Sequence, residues 1–210
     1  MQSFSDFNLL KEKLHGSKKK GVWRLIPEPT YLYIDIKVPL IDYLRGDVLI
    51  SDIKALNSES QHVCLDKLIS LLYLQFLNQI RKGFSLEKLG INLVNKIDEF
   101  REKNLKTING EKLKQLTTNT WIFETEETTD YFSQTEKKYA YLTIRIKRTE
   151  IYRGEVLLYD LSNVIEGIDF TVEDVIAMLY MDFIKKLTKE GNDEKVIRTI
   201  ISSIESHGGF

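Results

Sequence analysis

Hydrophobic and polar side chains alternate along two separate stretches of the chain, residues 31–38 and 139–146. In each stretch every second residue is aliphatic, and the residues between are tyrosine, threonine or charged. Because alternate side chains of a strand point to opposite faces, both stretches predict strands with one buried face. The predicted buried residues are Leu32, Ile34, Ile36 and Val38 in the first strand and Ala140, Leu142, Ile144 and Ile146 in the second.

A second strand is predicted after each of these stretches. An Arg-Gly-acid triplet, at residues 45–47 and again at 153–155, precedes a run rich in leucine and β-branched residues, VLISDI or VLLYDL. Glycine at that place indicates a bend or bulge from which a new strand starts. A further strand is expected around each tryptophan, Trp23 and Trp121. Each half of the chain therefore predicts three strands in an antiparallel meander.

Two strongly apolar segments follow the strands, at residues 61–82 and 171–189. Both carry apolar residues on nearly every face of a helix, and such a helix must be covered on more than one side. Thr171, followed three residues later by Asp174, is typical of a helix start. Both segments therefore predict buried helices.

One further, amphipathic helix is predicted in each half, at residues 87–99 and 194–206, from apolar residues three and four apart. A short helix is also expected near residues 5–15, with a weaker counterpart at 111–117.

The chain repeats itself. Residues 31–53 match residues 139–161 without a gap at an offset of 108, with 8 identities, and residues 68–80 match 175–187 at an offset of 107. A change of offset confined to a loop is what a tandem duplication produces. The identical pairs of the first segment are Tyr31/Tyr139, Tyr33/Tyr141, Ile36/Ile144, Arg45/Arg153, Gly46/Gly154, Val48/Val156, Leu49/Leu157 and Asp52/Asp160.

We therefore predict an α+β fold made by tandem duplication of a β-β-β-α-α unit, a three-stranded antiparallel meander with two helices. Residues 1–104 are the first repeat and residues 105–210 the second, packed together as one compact body in a pseudo-two-fold arrangement. The first repeat has 16 basic and 13 acidic residues, a net charge of +3, and the second has 14 and 18, a net charge of −4. The two repeats therefore need not bind equivalent partners.

Composition favours an ordinary globular protein of the cytoplasm. Hydrophobic residues make up 42% and charged residues 29% of the chain, and 30 basic residues balance 31 acidic ones, so overall charge does not indicate nucleic acid. The one cysteine, Cys64, forms no intrachain disulfide and needs no oxidising compartment. The N-terminal stretch does not have the pattern of a secretory signal, and no apolar run is long enough to span a membrane.

The sequence carries no familiar catalytic motif. The three histidines fall at unrelated positions of the repeat, and His62 and Cys64 are two residues apart, a spacing that places them on different faces of a helix. We expect no cofactor and no metal site, and a function that is not enzymatic. An enzyme with its site in the cleft between the repeats is the alternative, since pockets often form there.

The polar face of the two predicted strands is the strongest candidate for function. Tyrosine and arginine are enriched where proteins bind one another, and tyrosine beside a cation can also stack bases and contact phosphates of single-stranded nucleic acid. Tyrosine is also a strong strand former, so the same pattern fits cross-strand packing. The candidate residues are Tyr31, Tyr33 and Lys37 in the first strand and Tyr139, Tyr141 and Arg145 in the second.

Arg45 and Arg153 are further candidates because both copies of the repeat have them. Either each arginine pairs with a nearby acid, such as Asp47 or Glu155, or the two recognise an anion or a partner at matched positions. The lysine run at residues 17–21 is either a solvated loop or a phosphate contact. The sequence therefore predicts a protein-interaction or regulatory module that binds a protein partner, with nucleic-acid binding as the alternative.

Overall fold

The structure is a computed structural model that describes residues 2–15, 28–56, 62–83, 85–102, 108–117, 120–128, 138–166, 169–190, 198 and 201–202. The described part combines helices and strands in an α+β fold. No helix in these ranges is both long enough and apolar enough to cross a membrane. The elements are α1 (Leu9–Leu14), β1 (Tyr31–Pro39), α2 (Leu40–Leu56), α3 (Leu65–Arg81), α4 (Leu86–Glu102), β2 (Ile108–Thr117), β3 (Thr120–Thr128), β4 (Tyr139–Lys147), α5 (Arg148–Ser162) and α6 (Val172–Glu190).

The sheet at the centre of the fold is an antiparallel ribbon of β1 and β4. The two strands pair along their whole length, from Tyr31 opposite Lys147 to Pro39 opposite Tyr139. Asp35 lies opposite Thr143, and these two residues are 108 positions apart. The pairing is therefore symmetric about Asp35 and Thr143, so that each residue of β1 and its counterpart 108 positions later in β4 occupy equivalent places in the ribbon. The strands β2 and β3 form a separate antiparallel hairpin.

The inner face of the ribbon packs against α3 and α6. Ile34, Ile36 and Val38 of β1 are almost fully buried, as the alternation along the sequence predicts, and so are Ile144 and Ile146 of β4. Helix α3 is tied to the ribbon by Ser70, whose hydroxyl donates to the carbonyl of Arg145 at 3.2 Å. The core thus lies on one side of the ribbon.

Two tyrosines make matching contacts between the halves. The hydroxyl of Tyr180 on α6 donates to the carbonyl of Asp42 on α2 at 2.7 Å, and that of Tyr73 on α3 donates to the carbonyl of Glu150 on α5 at 3.0 Å. Both side chains are fully buried, and this burial, with nearby acids, raises the pKa of both hydroxyls, so both remain protonated donors.

Each tyrosine hydroxyl lies against a helical glycine. A Cβ built on Gly46 would lie 2.1 Å from the Tyr180 hydroxyl, and one built on Gly154 would lie 2.1 Å from the Tyr73 hydroxyl. Real atoms do not approach so closely, so each glycine makes room for the tyrosine of the other half.

Helix α1 sits on α5, where a buried carboxylate holds its start. Glu155 is fully buried, and its oxygens accept the backbone N–H groups of Leu9 and Leu10 and the hydroxyl of Ser5. A carboxylate at this place satisfies N–H groups that a helix start leaves without partners, and it complements the positive end of the helix dipole. The side chains of Leu9 and Leu10 are buried in the hydrophobic core.

The predicted second strand of each repeat is wrong. Residues 45–53 lie within α2 and residues 153–161 within α5, which follow directly on β1 and β4. A short run of leucine and β-branched residues cannot by itself distinguish a strand from a helix. Here helical spacing places Leu49, Ile50 and Ile53 in the core.

The three-stranded meander is wrong as well. β1 pairs with β4 of the other half, and Trp121 lies in β3, which pairs with β2. Trp23 lies outside the described residues.

Most of the predicted helices are confirmed. α3 and α6 lie where residues 61–82 and 171–189 predict them, α4 matches 87–99, and α1 lies within 5–15. Thr171 and Asp174 exchange hydrogen bonds at the start of α6. The counterpart expected at 111–117 lies in β2, so this helix is wrong. Of residues 194–206, the described positions 198, 201 and 202 are helical.

Candidate binding face on the ribbon

The outer side chains of β1 and β4 form a surface that we call the ribbon face. Alternation along each strand turns these side chains away from the core. Tyr33 is 63% exposed and Tyr141 is 72% exposed, whereas Ile34 and Ile144 beside them are buried. The ribbon face consists of Tyr31, Tyr33, Asp35 and Lys37 of β1 and Tyr139, Tyr141, Thr143, Arg145 and Lys147 of β4.

Cations lie over two of the four tyrosine rings. The Lys37 ammonium is 4.1 Å from the centre of the Tyr139 ring, and the Arg145 guanidinium is 4.0 Å from the centre of the Tyr31 ring. These are diagonal neighbours across the two strands, a separation that long side chains span. Each contact stabilises an exposed pair by about 0.5–1 kcal/mol, and it holds the ring and the cation in place.

The other two tyrosines stand directly opposite the same cations. Tyr33 is opposite Arg145, and Tyr141 is opposite Lys37. The face therefore contains two matching groups, each with two tyrosines and one cation. We call them half-sites. The first is Tyr31, Tyr33 and Arg145, and the second is Tyr139, Tyr141 and Lys37.

A hydrogen bond marks the centre of the face, where the Thr143 hydroxyl donates to the Asp35 carboxylate at 2.6 Å. Three cations, Lys37, Arg145 and Lys147, outnumber this one carboxylate, so the face carries a net charge of +2. Such a surface attracts anionic partners.

The two candidate arginines lie on the helices that follow the strands. Arg45 pairs with Asp42 at 3.1 Å, and Arg153 pairs with Glu150 at 3.0 Å, each one turn earlier on the same helix. Pairing with a nearby acid is therefore confirmed, but the acid is not Asp47 or Glu155, because a residue two positions away lies on a different helix face. Exposed pairs of this kind stabilise a protein by about 0.2–1 kcal/mol.

A second exposed surface lies on α2, and the strand predicted for this part of the sequence does not predict it. Ile41, Leu44 and Val48 are about half exposed, at 56%, 47% and 58%. They border an open groove of about 470 Å³ between α2 and α6, which we call the α2 groove. Ile41, Leu44 and Val48 are three and four residues apart, a spacing that predicts one apolar face if the segment is helical. The groove is lined by Ile41, Leu44, Arg45, Val48, Leu49, Ile184, Leu187 and Thr188.

Cys64 lies just before α3, with its sulfur 3.8 Å from the carbonyl of His62. Burial raises the pKa of the Cys64 thiol, and the neighbouring Asp66 raises it further, so the thiol is protonated at neutral pH. Within the described ranges, no three His, Cys, Asp or Glu side chains are grouped as metal ligands. The lysine run at 17–21 lies outside these ranges.

Comparisons with known protein families, with curated proteins and with solved structures give no match to this chain. A function for this protein therefore rests on the geometry of its own surfaces.

Proposed function

We propose that this protein is a non-enzymatic interaction module, acting in the cytoplasm, that binds a protein partner through the ribbon face. The observation that carries this proposal is the exposure of Tyr33 and Tyr141 at the middle of an open sheet face. Tyrosine combines a large apolar ring with a polar tip, and it dominates the energetics of many protein interfaces. Two such rings on solvent-exposed strand positions contribute little to the core.

The rigidity of the face supports the proposal. Its side chains stand on two fully paired strands, and Lys37 and Arg145 hold the Tyr139 and Tyr31 rings. A surface that is already ordered loses less conformational entropy when it binds. The net charge of +2 favours a partner with an acidic surface.

The proposal extends to the origin of the face. We take the two halves to be copies of one β-α-α unit, arranged about a pseudo-two-fold axis that passes between Asp35 and Thr143. The symmetric register of β1 and β4 supports this arrangement, and so do the matching bonds of Tyr73 and Tyr180. On this basis the two half-sites are equivalent, and the partner offers either two like elements or a two-fold axis of its own.

A second candidate function is the binding of double-stranded DNA, and the shape of the ribbon favours it. The major groove of B-DNA admits a two-stranded antiparallel ribbon, and proteins that bind in this way read bases with the outer strand face. The cations Lys37, Arg145 and Lys147 would then lie near phosphates. About three phosphate contacts give a slope of about −3 in a plot of log affinity against log salt concentration.

Site-specific photo-cross-linking separates the two candidates. The photoreactive amino acid p-benzoylphenylalanine is placed at Tyr33 or at Tyr141, and the chain is irradiated in extract from its native cells. A matched control carries it at Ile91, a 49% exposed residue of α4. The proposal expects one protein cross-linked from both tyrosine positions and not from Ile91.

Cross-linked nucleic acid, with the salt dependence given above, would establish the second candidate instead. The same products from Ile91 as from the two tyrosines would refute both, because the ribbon face would then have no preference over ordinary surface.

A further inference from the structure

The place where α1 sits provides a template for a second docking site. Helix α1 and the residues before it lie against α5 and the start of α6. Glu155 of α5 accepts the N–H of Leu9 at 3.0 Å, and Glu173 of α6 accepts the N–H of Asp6 at 3.1 Å. The N–H of Val172 in turn donates to the carbonyl of Phe4 at 2.8 Å. We call this surface of α5 and α6 the α1 seat.

Apolar contacts complete the α1 seat. The Phe4 ring meets the edge of Tyr159 with 6.3 Å between ring centres, and Lys13 lies 4.7 Å over the ring of Tyr152. The α1 seat therefore binds a segment that starts a helix. This segment packs large apolar residues against α5, and its backbone N–H groups donate hydrogen bonds to two acids, Glu155 and Glu173.

The corresponding surface of the other half has the same design. At an offset of 108, Leu44 and Asp47 of α2 correspond to Tyr152 and Glu155. At an offset of 107, Leu65 and Asp66 at the start of α3 correspond to Val172 and Glu173. We call this surface the α2 seat, and it consists of Leu44, Asp47, Val48, Leu65 and Asp66.

The layout of the two seats also agrees. A Cβ built on Gly46 would lie 3.0 Å from the Leu65 side chain, and one built on Gly154 would lie 2.9 Å from the Val172 side chain. The start of α3 therefore approaches α2 as closely as the start of α6 approaches α5.

The two seats differ in what covers them. Glu155 is fully buried under α1, whereas Asp47 is exposed and its carboxylate makes no hydrogen bond or ion pair with the described residues. Leu44 and Val48 are 47% and 58% exposed, and they also line the α2 groove. The chain's own counterpart of α1 was expected at 111–117, which lies in strand β2.

We propose that the α2 seat docks a short helix of a partner protein that has the chemistry of residues 4–14. Charge complementarity identifies this occupant, because Asp47 corresponds in sequence to Glu155, which accepts the N–H groups at the start of α1, and Asp66 corresponds to Glu173, which accepts the N–H of Asp6 in the turn before it. Those N–H groups carry the positive end of the helix dipole. Leu44 and Val48 take the adjacent leucines of its first turn, as α5 takes Leu9 and Leu10. This site is separate from the ribbon face, and it rests on the repeat of the β-α-α unit proposed above.

A peptide of this chain's own residues 2–15 serves as the probe. It carries a fluorescent label, and its anisotropy is followed as full-length protein is added. We expect saturable binding that weakens at least tenfold in the Leu44→Ser/Val48→Ser variant and at least threefold in Asp47→Asn. A matched control, Ile91→Ser on α4, leaves binding unchanged. A peptide with Leu9→Ser and Leu10→Ser does not bind. Circular dichroism confirms that each protein variant is folded.

Three results would overturn the proposal. One is the absence of binding at millimolar protein. Another is binding that Glu155→Gln changes and the α2 variants do not, because the peptide would then exchange into the α1 seat. The third is self-association of the unmodified protein that Leu44→Ser/Val48→Ser abolishes, because the occupant would then be a second copy of the chain.

Discussion

Replacing Gly46 by alanine tests the contact that joins the two halves most directly. The new Cβ would lie 2.1 Å from the Tyr180 hydroxyl and 3.1 Å from the ring carbon that bears it. Tyr180 is fully buried and its hydroxyl donates to the carbonyl of Asp42 at 2.7 Å, so the ring has no free space into which to move. The substitution therefore forces the hydroxyl away from its acceptor.

Opposing effects determine how much Gly46→Ala changes the free energy of unfolding. Alanine favours a helix interior over glycine by about 1 kcal/mol. Overpacking costs about 1–3 kcal/mol. A buried hydroxyl without its hydrogen bond costs about 1–3 kcal/mol more. These terms sum to a loss of about 1–5 kcal/mol in the free energy of unfolding for Gly46→Ala, and the midpoint of about 3 kcal/mol lowers the melting temperature of a chain of this size by about 6–12 °C.

A double-mutant cycle isolates the cause. Tyr180→Phe alone removes one hydrogen bond and costs about 1 kcal/mol. It also removes the atom nearest to the new Cβ and leaves only the contacts of 3.0 Å with Leu65 and 3.1 Å with the ring carbon, so Gly46→Ala should cost at least about 1 kcal/mol less in that background than alone. The control combines Gly46→Ala with Tyr73→Phe, whose hydroxyl lies against Gly154 instead. In that combination the two losses should add.

Urea unfolding followed by circular dichroism measures all of these variants. A Gly46→Ala variant as stable as the unmodified protein would refute the reasoning, because Tyr180 could not then lie against this glycine. Equal coupling of Gly46 to Tyr73 and to Tyr180 would refute it as well.

Three further predictions concern the core, an ion pair and the ribbon face. Phe76 is 9% exposed on α3, so Phe76→Ala should cost about 3–5 kcal/mol in thermal unfolding, and a loss below about 1 kcal/mol would place it on the surface. Burial alone would raise the pKa of Asp182, but hydrogen bonds from lysines, Lys96 foremost, lower it. Its carboxylate therefore stabilises the fold above the usual aspartate pKa, and this contribution is lost as the pH falls through the lowered value. Asp182→Asn should cost up to about 1 kcal/mol at pH 7 and nothing in strong acid, and a pH-independent loss in urea unfolding would contradict this. Tyr33→Ala with Tyr141→Ala should cost less than about 1 kcal/mol each, because both rings are exposed, yet abolish binding at the ribbon face; a variant that unfolds would show that the rings are packing residues.

Periodicity predicted some parts of this fold well. Alternation in residues 31–38 and 139–146 identified both strands of the ribbon and the face on which Ile34 and Ile144 are buried. Long apolar segments identified α3 and α6. These patterns succeed because each extends over enough residues to distinguish a period of two from a period of 3.6.

The errors began at Gly46 and Gly154. Glycine in front of a short apolar run predicts a bend, whereas both glycines lie within helices and make room for tyrosines that are distant in sequence. Local propensity does not include such a long-range contact. The same error concealed the exposed apolar face of α2, since Ile41 and Leu44, three residues apart, share a face in a helix but not in a strand.

The tyrosines of the ribbon face were predicted from the sequence, and the cation contacts were not. Alternation places Tyr33 and Tyr141 on the outer face, but the position of Lys37 over Tyr139 depends on the register between two strands far apart in the chain. The sequence of one chain alone does not determine that register.

The pairing of β1 with β4 also determines when this protein can fold. The strands are joined by a chain segment of about a hundred residues, and closing so long a loop costs about 4 kcal/mol of entropy before any pairing offsets it. During synthesis, Ile34, Ile36 and Val38 leave the ribosome long before Ile144 and Ile146, the residues that complete their sheet. While about a hundred further residues are synthesised, the nascent chain therefore carries an apolar strand without its partner, which is the kind of segment that chaperones bind and that aggregates when it is left exposed.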